Sequence, residues 1–312
     1  MTIQVKRVAV VQAGSVLFDT PRTLDKLGEL VAEAAGRGAS FALFPEAFLG
    51  GYPKGIDFGC RVGSRSAEGR DWFRRYFEAA VTIPGPETEA LGKLARSAAM
   101  TLAVGVVERD GTTLYCTLLY VGSDGRILGR HRKVMPTASE RLIWGFGDGS
   151  TLPVLDTPAG RVGGAICWEN YMPLLRTALY AQGLEVYCAP TVDDRDTWLP
   201  TLRHIAMEGR CFVLSAVQFL VRSGCPADYA PIQGDAPGTV LIRGGSAIVD
   251  PFGTVLAGPA FGEETVLTAD LDPGDIPRAR FDLDVVGHYA RPDLFQLTVN
   301  TAAQHPVETR RP

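Results

Sequence analysis

The chain has 312 residues, enough for one large domain or two small ones, with a core that needs no metal or disulfide staple. Apolar residues make up 46% and charged residues 21%, and the 35 glycines and 21 prolines stay below the share typical of low-complexity chains; disorder, coiled coil and collagen are excluded. A formal charge of −4 with no long basic block argues against nucleic acid or anionic membrane as partners.

In chain order, apolar strand runs alternate with helical stripes. Arg7–Ala13 reads as a strand, Leu24, Leu27, Leu30, Val31 and Ala34 as one face of a helix, and Ser40–Phe44 as a second strand. Gly59–Arg70 reads as an inserted surface loop. A stripe of Leu91, Leu94, Ala95 and Ala98 precedes strands at Thr101–Val107 and Leu114–Val121, the latter turning at Ser123-Asp124-Gly125 into Arg126–Lys133. Val162–Cys167 is a further strand. The helix after it has Pro173 in its first turn, Leu174, Leu175, Ala178 and Leu179 on one face, and Gly183 at its stop. Leu184–Ala189, a stripe of Leu202, Ile205, Ala206 and Gly209, and Phe212–Val217 follow. Arg222–Gly238, dense in Pro, Gly and Asp, reads as a second inserted loop. Strands at Ser246–Val249 and Thr265–Leu271 close the pattern, with a turn at Asp250-Pro251-Phe252-Gly253 after the first of them. Strands this apolar are covered on both faces, which places the chain in the α/β class with layered sheets. The order of helix, strand and hairpin occurs before Lys133 and loosely again after Cys167, as if two halves stack sheet on sheet, and no linker divides them.

The first residues lack a charged-then-apolar leader with a small-residue cleavage site. The longest apolar stretch, Cys211 to Val221, is too short to span a bilayer. The six cysteines (60, 116, 167, 188, 211, 225) therefore read as reduced thiols, and a cytoplasmic location is expected. With no CxxC, HExxH or His-rich tract, no metal site is expected.

Three polar residues stand where a buried strand ends. Glu46 follows Phe41-Ala42-Leu43-Phe44-Pro45, a setting in which a carboxylate is paired, either as a loop cap or in a more specialised role. Lys133 ends the run Arg130-His131-Arg132-Lys133, of which all but Lys133 read as a solvated face. Period-2 alternation puts His131, Lys133 and Met135 on one side and Arg130 and Arg132 on the other, so one set points inward if the strand is sandwiched. Cys167 follows Gly163-Gly164-Ala165-Ile166 and precedes a helix. It is either a small core residue or a nucleophile presented on an elbow, where a helix N-terminus favours the thiolate. Cys116, Cys188 and Cys211 read as core, and Cys60 and Cys225 as loop residues. Thr137 and Glu140 have capping-box spacing, which explains that glutamate structurally; a second carboxylate beside the lysine is the functional reading, and both can hold.

The segments FPEAFLGGYPKG (44–55), HRKVMPTASERLIWGFGDGS (131–150) and GGAICWENYMPLLR (163–176) resemble the nitrilase branch of the nitrilase superfamily of carbon-nitrogen hydrolases. Further agreeing stretches at 188–198, 204–218, 244–259 and 287–295 extend the resemblance over about residues 5–298. It implies a four-layer α-β-β-α sandwich over residues 1–298, followed by a short tail at 299–312, that dimerises through its outer helices. It also implies a catalytic triad of Glu46, Lys133 and Cys167 with Glu140 as a second glutamate, and pocket positions Tyr52, Trp168, Pro190 and Trp198. Trp198 reads equally well as core. The implied activity is hydrolysis of a small-molecule nitrile to an acid and ammonia through a cysteine-bound thioimidate and thioester, without a cofactor. The rival readings are an amidase or carbamoyl-amide hydrolase, a nitrile or cyanide hydratase, and a catalytically silent scaffold. Many relatives assemble into spirals through insertions and a long C-terminal tail; the shortness of residues 300–312 argues against that here, while the Arg222–Gly238 insertion leaves an assembly beyond the dimer open.

Overall fold

The computed structural model describes residues 4–304 and 307. Its first half runs β1 (Lys6–Gln12), α1 (Thr20–Gly36), β2 (Phe41–Leu43), a small ribbon of β3 (Cys60–Arg61) and β4 (Ser64–Arg65), and α2 (Ala67–Glu78). Then come α3 (Pro86–Ala98), β5 (Thr101–Asp110), β6 (Thr113–Val121) and β7 (Ile127–Arg132). The second half runs β8 (Leu155–Thr157), β9 (Gly160–Gly164), α4 (Pro173–Tyr180), β10 (Val186–Cys188), α5 (Trp198–Gly209) and β11 (Phe212–Ser215). It ends with β12 (Phe219–Val221), β13 (Val240–Val249), β14 (Val255–Phe261), β15 (Thr265–Leu271) and α6 (Asp275–Arg280).

Two large sheets result, ordered β15-β1-β2-β5-β6-β7 and β12-β13-β11-β10-β9-β8, with β14 added on β13. Side-chain alternation explains the layering. In β1, Val8 and Val10 enter a core shared with Val186, Phe212, Leu214 and Ile248 of the other sheet, while Ala9 and Val11 pack outward against Leu27, Val31, Leu91 and Ala95 of α1 and α3. On the far side, Tyr187, Val213 and Val249 meet Leu175, Leu179, Leu202 and Ile205 of α4 and α5. This is the expected four-layer α-β-β-α sandwich. In each half the central strands are parallel: β2 lies between β1 and β5, and β10 lies between β9 and β11. Among the described residues no helix is long and apolar enough to cross a membrane.

The structure corrects several expectations. Gly59–Arg70 is not a plain loop: it holds the β3–β4 ribbon and the start of α2, which is capped by Ser66 Oγ accepting from Gly69 N–H at 2.9 Å. The buried side of α2 is largely aromatic and interleaved with arginines, so no aliphatic stripe announces it. The 130–133 run is not a solvated face. His131 and Lys133 are fully buried, and Arg130 and Arg132 both reach Glu108, at 2.8 and 2.5 Å. Met135 is exposed because the strand, and with it the alternation, ends at Arg132. Finally, β9 stops at Gly164, which leaves Cys167 beyond it.

Candidate active site

Glu46, Lys133 and Cys167 each follow the C-terminal end of a strand (β2, β7 and β9), and the turn after β10 supplies Pro190 to Val192. The ends of parallel strands in open α/β sheets are where ligands bind. The chain reaches these positions by close backbone packing. A Cβ on Gly105 would sit 2.0 Å from the carbonyl oxygen of Pro45, so only glycine lets β5 pass directly beneath Glu46.

Glu46 is fully buried. Its Oε1 accepts from Lys133 Nζ at 2.8 Å and from the Cys116 thiol at 3.6 Å, its Oε2 accepts from Val192 N–H at 3.1 Å, and its backbone carbonyl accepts from Gln218 Nε2 at 2.8 Å. Burial raises its pKa and the Lys133 charge opposes that rise without cancelling it. Lys133 Nζ also donates to Glu140 Oε2 at 2.7 Å and lies 5.5 Å from the Trp144 ring centroid. Burial alone would strip its proton, but the carboxylates, Glu46 first and Glu140 after it, outweigh burial and hold it as an ammonium well above the ordinary lysine range.

Glu140 fulfils both of its readings. It caps its own 3-10 turn by accepting from Thr137 N–H at 2.6 Å, and the same oxygen takes Lys133. Its Oε1 accepts from the Tyr52 hydroxyl at 2.7 Å.

Cys167 opens a 3-10 turn, Cys167–Tyr171, with φ of +55°, the left-handed region. A non-glycine residue there stores strain and needs firm anchoring. The anchors are visible: Cys167 N–H donates to Pro190 O at 2.9 Å, and Asn170 Nδ2 donates to the carbonyls of Ala165 and Cys167 at 2.9 and 2.7 Å. The thiol faces Glu46 and Thr191 and is 4% exposed. Burial, reinforced by Glu46, pushes it far above the ordinary thiol range despite Lys133, so the resting group is a protonated thiol. The helix expected to point at the sulfur, α4, starts only at Pro173; the 3-10 turn occupies that place.

Of the four pocket positions, Tyr52 joins the acid cluster and Pro190 supplies the carbonyl under Cys167. Trp168 is 42% exposed, donates from its indole to Asp193 at 2.9 Å, and lies 4.8 Å beneath the Arg195 guanidinium. Its backbone N–H has no protein acceptor among the described residues. Trp198 fits both of its readings: it is 2% exposed with its indole donating to Ser215 Oγ at 2.9 Å, and it lies in the wall of a cavity shared with Asp193 and Arg195. A cavity of about 620 Å³ opens beside Tyr52, with Ile56, Phe58, Trp72 and Ile232 in its walls.

Sequence reading missed Cys116, which lies in the core as expected but directs its thiol at Glu46. It also missed His131, Glu169, Asn170 and Asp193. Glu169 and Asn170 follow the thiol within three residues, and His131 shares the inward alternation of Lys133; these were the available signals.

The sequence profile of the carbon-nitrogen hydrolase family matches residues 7–281. The aliphatic nitrilase of Sinorhizobium fredii (strain HH103) is 57% identical over 304 residues, covering 97% of this chain and 98% of that protein. The Nicotiana tabacum protein named bifunctional nitrilase/nitrile hydratase NIT4B is 54% identical, covering 96% of this chain and 88% of its own length. Among solved structures, the Caenorhabditis elegans NitFhit protein superposes with a TM-score of 0.75 at 21% identity, over 98% of this chain and 70% of that one, a likeness of fold. Fold, profile and relatives agree, and this chain belongs to the carbon-nitrogen hydrolase family.

Proposed function

We propose that the protein hydrolyses an organic nitrile to a carboxylic acid and ammonia, with Cys167 as nucleophile, Glu46 as general base, and Lys133 as the cation that orients and stabilises. The observation that carries this reading is the buried Lys133 ammonium held between the Glu46 and Glu140 carboxylates, with a strained thiol facing them. The names of the relatives at 54 to 57% identity support a nitrile as substrate.

A nitrile carbon is weakly electrophilic and calls for a thiolate. Because Cys167 rests as a thiol, the proton moves to Glu46 as sulfur adds to carbon; burial has already made Glu46 a stronger base than a solvated carboxylate. Glu46 passes that proton to the nitrile nitrogen to give the thioimidate and is a carboxylate again, with Lys133 Nζ and Trp168 N–H as donors to the developing charge, worth a few kcal/mol. Glu46 then deprotonates a water that adds to the thioimidate carbon. The C–N bond of the tetrahedral adduct breaks, ammonia leaves, and a thioester remains. A second water, activated in the same way, breaks the C–S bond and returns the thiol. Glu46, Lys133 and Cys167 titrate as one unit.

If the tetrahedral adduct expels sulfur instead of ammonia, the product is an amide. The bifunctional name of the tobacco relative favours that second outcome as a side reaction. The test is release of ammonia and amide from a panel of nitriles and matching amides. Ammonia from nitriles is expected; release from amides alone would favour an amidase, and no release from any compound by folded protein would favour a scaffold. Tyr52→Phe removes the hydroxyl that Glu140 accepts. Loss of this charge-assisted bond should reduce kcat about tenfold while costing roughly 1–2 kcal/mol of stability, read by steady-state kinetics and thermal unfolding. We further read the chain as a dimer through its outer helices, which light scattering would register as a doubled mass.

A further inference from the structure

Glu169 is a carboxylate with 1% exposure, two residues past Cys167, and it lies apart from the hydrogen bonds of the Glu46–Lys133–Glu140 cluster. Its Oε1 accepts from Val134 N–H at 2.5 Å, and its Oε2 accepts from Ile166 N–H at 2.8 Å. Val134 immediately follows Lys133, and Ile166 immediately precedes Cys167. One carboxylate therefore bonds the peptide that follows Lys133 and the peptide joining Ala165 to Ile166, one residue before the nucleophile. The same Oε2 meets His131 Nε2 at 2.9 Å, and His131 Nδ1 lies 2.8 Å from Thr151 O.

The protons follow from the partners. A carbonyl oxygen only accepts, so Nδ1 carries hydrogen. Nε2 faces a carboxylate that already accepts two N–H groups, and that contact is attractive only with a proton between nitrogen and oxygen. His131 and Glu169 thus form a buried pair with no net charge, the ring protonated or sharing its proton with the acid. An unpaired ion at this depth would be costly, so each partner keeps the other in place.

The geometry points to His131 and Glu169 as positioning residues: a buried clasp that fixes the β7 end bearing Lys133 against the 3-10 turn bearing Cys167. The assignment of a reaction to those two groups rests on the function proposed above, but the clasp itself is defined by the hydrogen bonds alone. The strained backbone of Cys167 is the reason such a clasp matters, because a positive φ is retained only when neighbouring bonds over-determine it. Small displacements between reacting groups carry large rate penalties.

The test uses the full chain with Glu169→Gln, His131→Leu and His131→Gln. For a nitrile that the wild type turns over, Glu169→Gln should lower kcat by about 10–100-fold with KM changed by less than about threefold, because contacts to substrate remain while the reacting groups drift. Alkylation of Cys167 by iodoacetamide, followed by peptide mass, should slow by about tenfold or more. His131→Gln keeps a donor toward Glu169 and should retain about tenfold more kcat than His131→Leu, which is of similar size without a donor, a rescue that mere filling of space would not give. Variants that unfold cooperatively yet keep kcat and alkylation rate within about twofold of wild type would overturn the clasp. So would equal impairment of the two His131 variants. Should Glu169→Gln fail to fold, the His131 pair decides. If the wild type turns over no nitrile, the proposed function fails, while the alkylation rates still judge the clasp by themselves.

Discussion

Lys133→Met is expected to abolish turnover and to destabilise the fold by about 3–5 kcal/mol, the cost of leaving buried carboxylates without their cation. In the wild type one ammonium bonds Glu46 at 2.8 Å and Glu140 at 2.7 Å in a place with no solvent access. Methionine preserves the volume, so the loss reports charge rather than a cavity. The pH dependence has a definite sign. Glu46 is already raised by burial with the cation present, and without it the pKa rises further above that of the unfolded chain. A raised carboxylate pKa gives stability that is fully present below the unfolded value and lost as pH rises through the folded value. The stability deficit of Lys133→Met should therefore be small near pH 5 and grow toward pH 8. Thermal unfolding of wild type and variant at both values measures it. A deficit that grows toward low pH, or a variant with appreciable ammonia release, would contradict the assignment.

Cys167→Ala should lose roughly 10⁴-fold or more of the activity while keeping the fold, since alanine accepts the same backbone with no new polar group. The sharper readout is intact mass after incubation with a slowly processed nitrile. Wild type should gain one substrate mass and Cys167→Ala none. Cys116 supplies an internal control. Its thiol also reaches Glu46, at 3.6 Å, but it lies inside β6 with no solvent access, whereas Cys167 stands beyond the end of β9. Cys116→Ala should still form the adduct. An adduct on Cys167→Ala that disappears in Cys116→Ala would move the chemistry to the wrong sulfur and sink the proposal.

Much of this arrangement was legible in the residues. Alternation along Arg130–Lys133 required one pair to turn inward, and the glycines before Cys167 announced a close backbone approach; a Cβ on Gly164 would lie 2.0 Å from Cys188 O. Layered, covered sheets followed from strands without a polar side, and the count of four layers from the family resemblance. What escaped the reading was non-local. Nothing near His131 reveals that its partner lies 38 residues away, and nothing near Glu108 reveals that Arg130 and Arg132 will cover it. The protonation state of Cys167 was equally hidden. A lysine in the motif suggests a depressed thiol pKa, whereas the depth of burial, a tertiary quantity, reverses the sign. The whole of α2 was missed for a local reason, because aromatic residues among arginines do not show the usual aliphatic period.

The pairing of β15 with β1, in register from Lys6↔Leu271 to Gln12↔Thr265, bears on how the chain is made. During synthesis one flank of β1 has its own neighbour, β2, within a few dozen residues. The other must wait until residue 271 has left the ribosome, so for most of translation the nascent protein carries an open, apolar edge able to capture foreign strands. Shielding of that edge by chaperones, and the solubility of fragments ending before residue 265, are where expression of this enzyme should prove most sensitive.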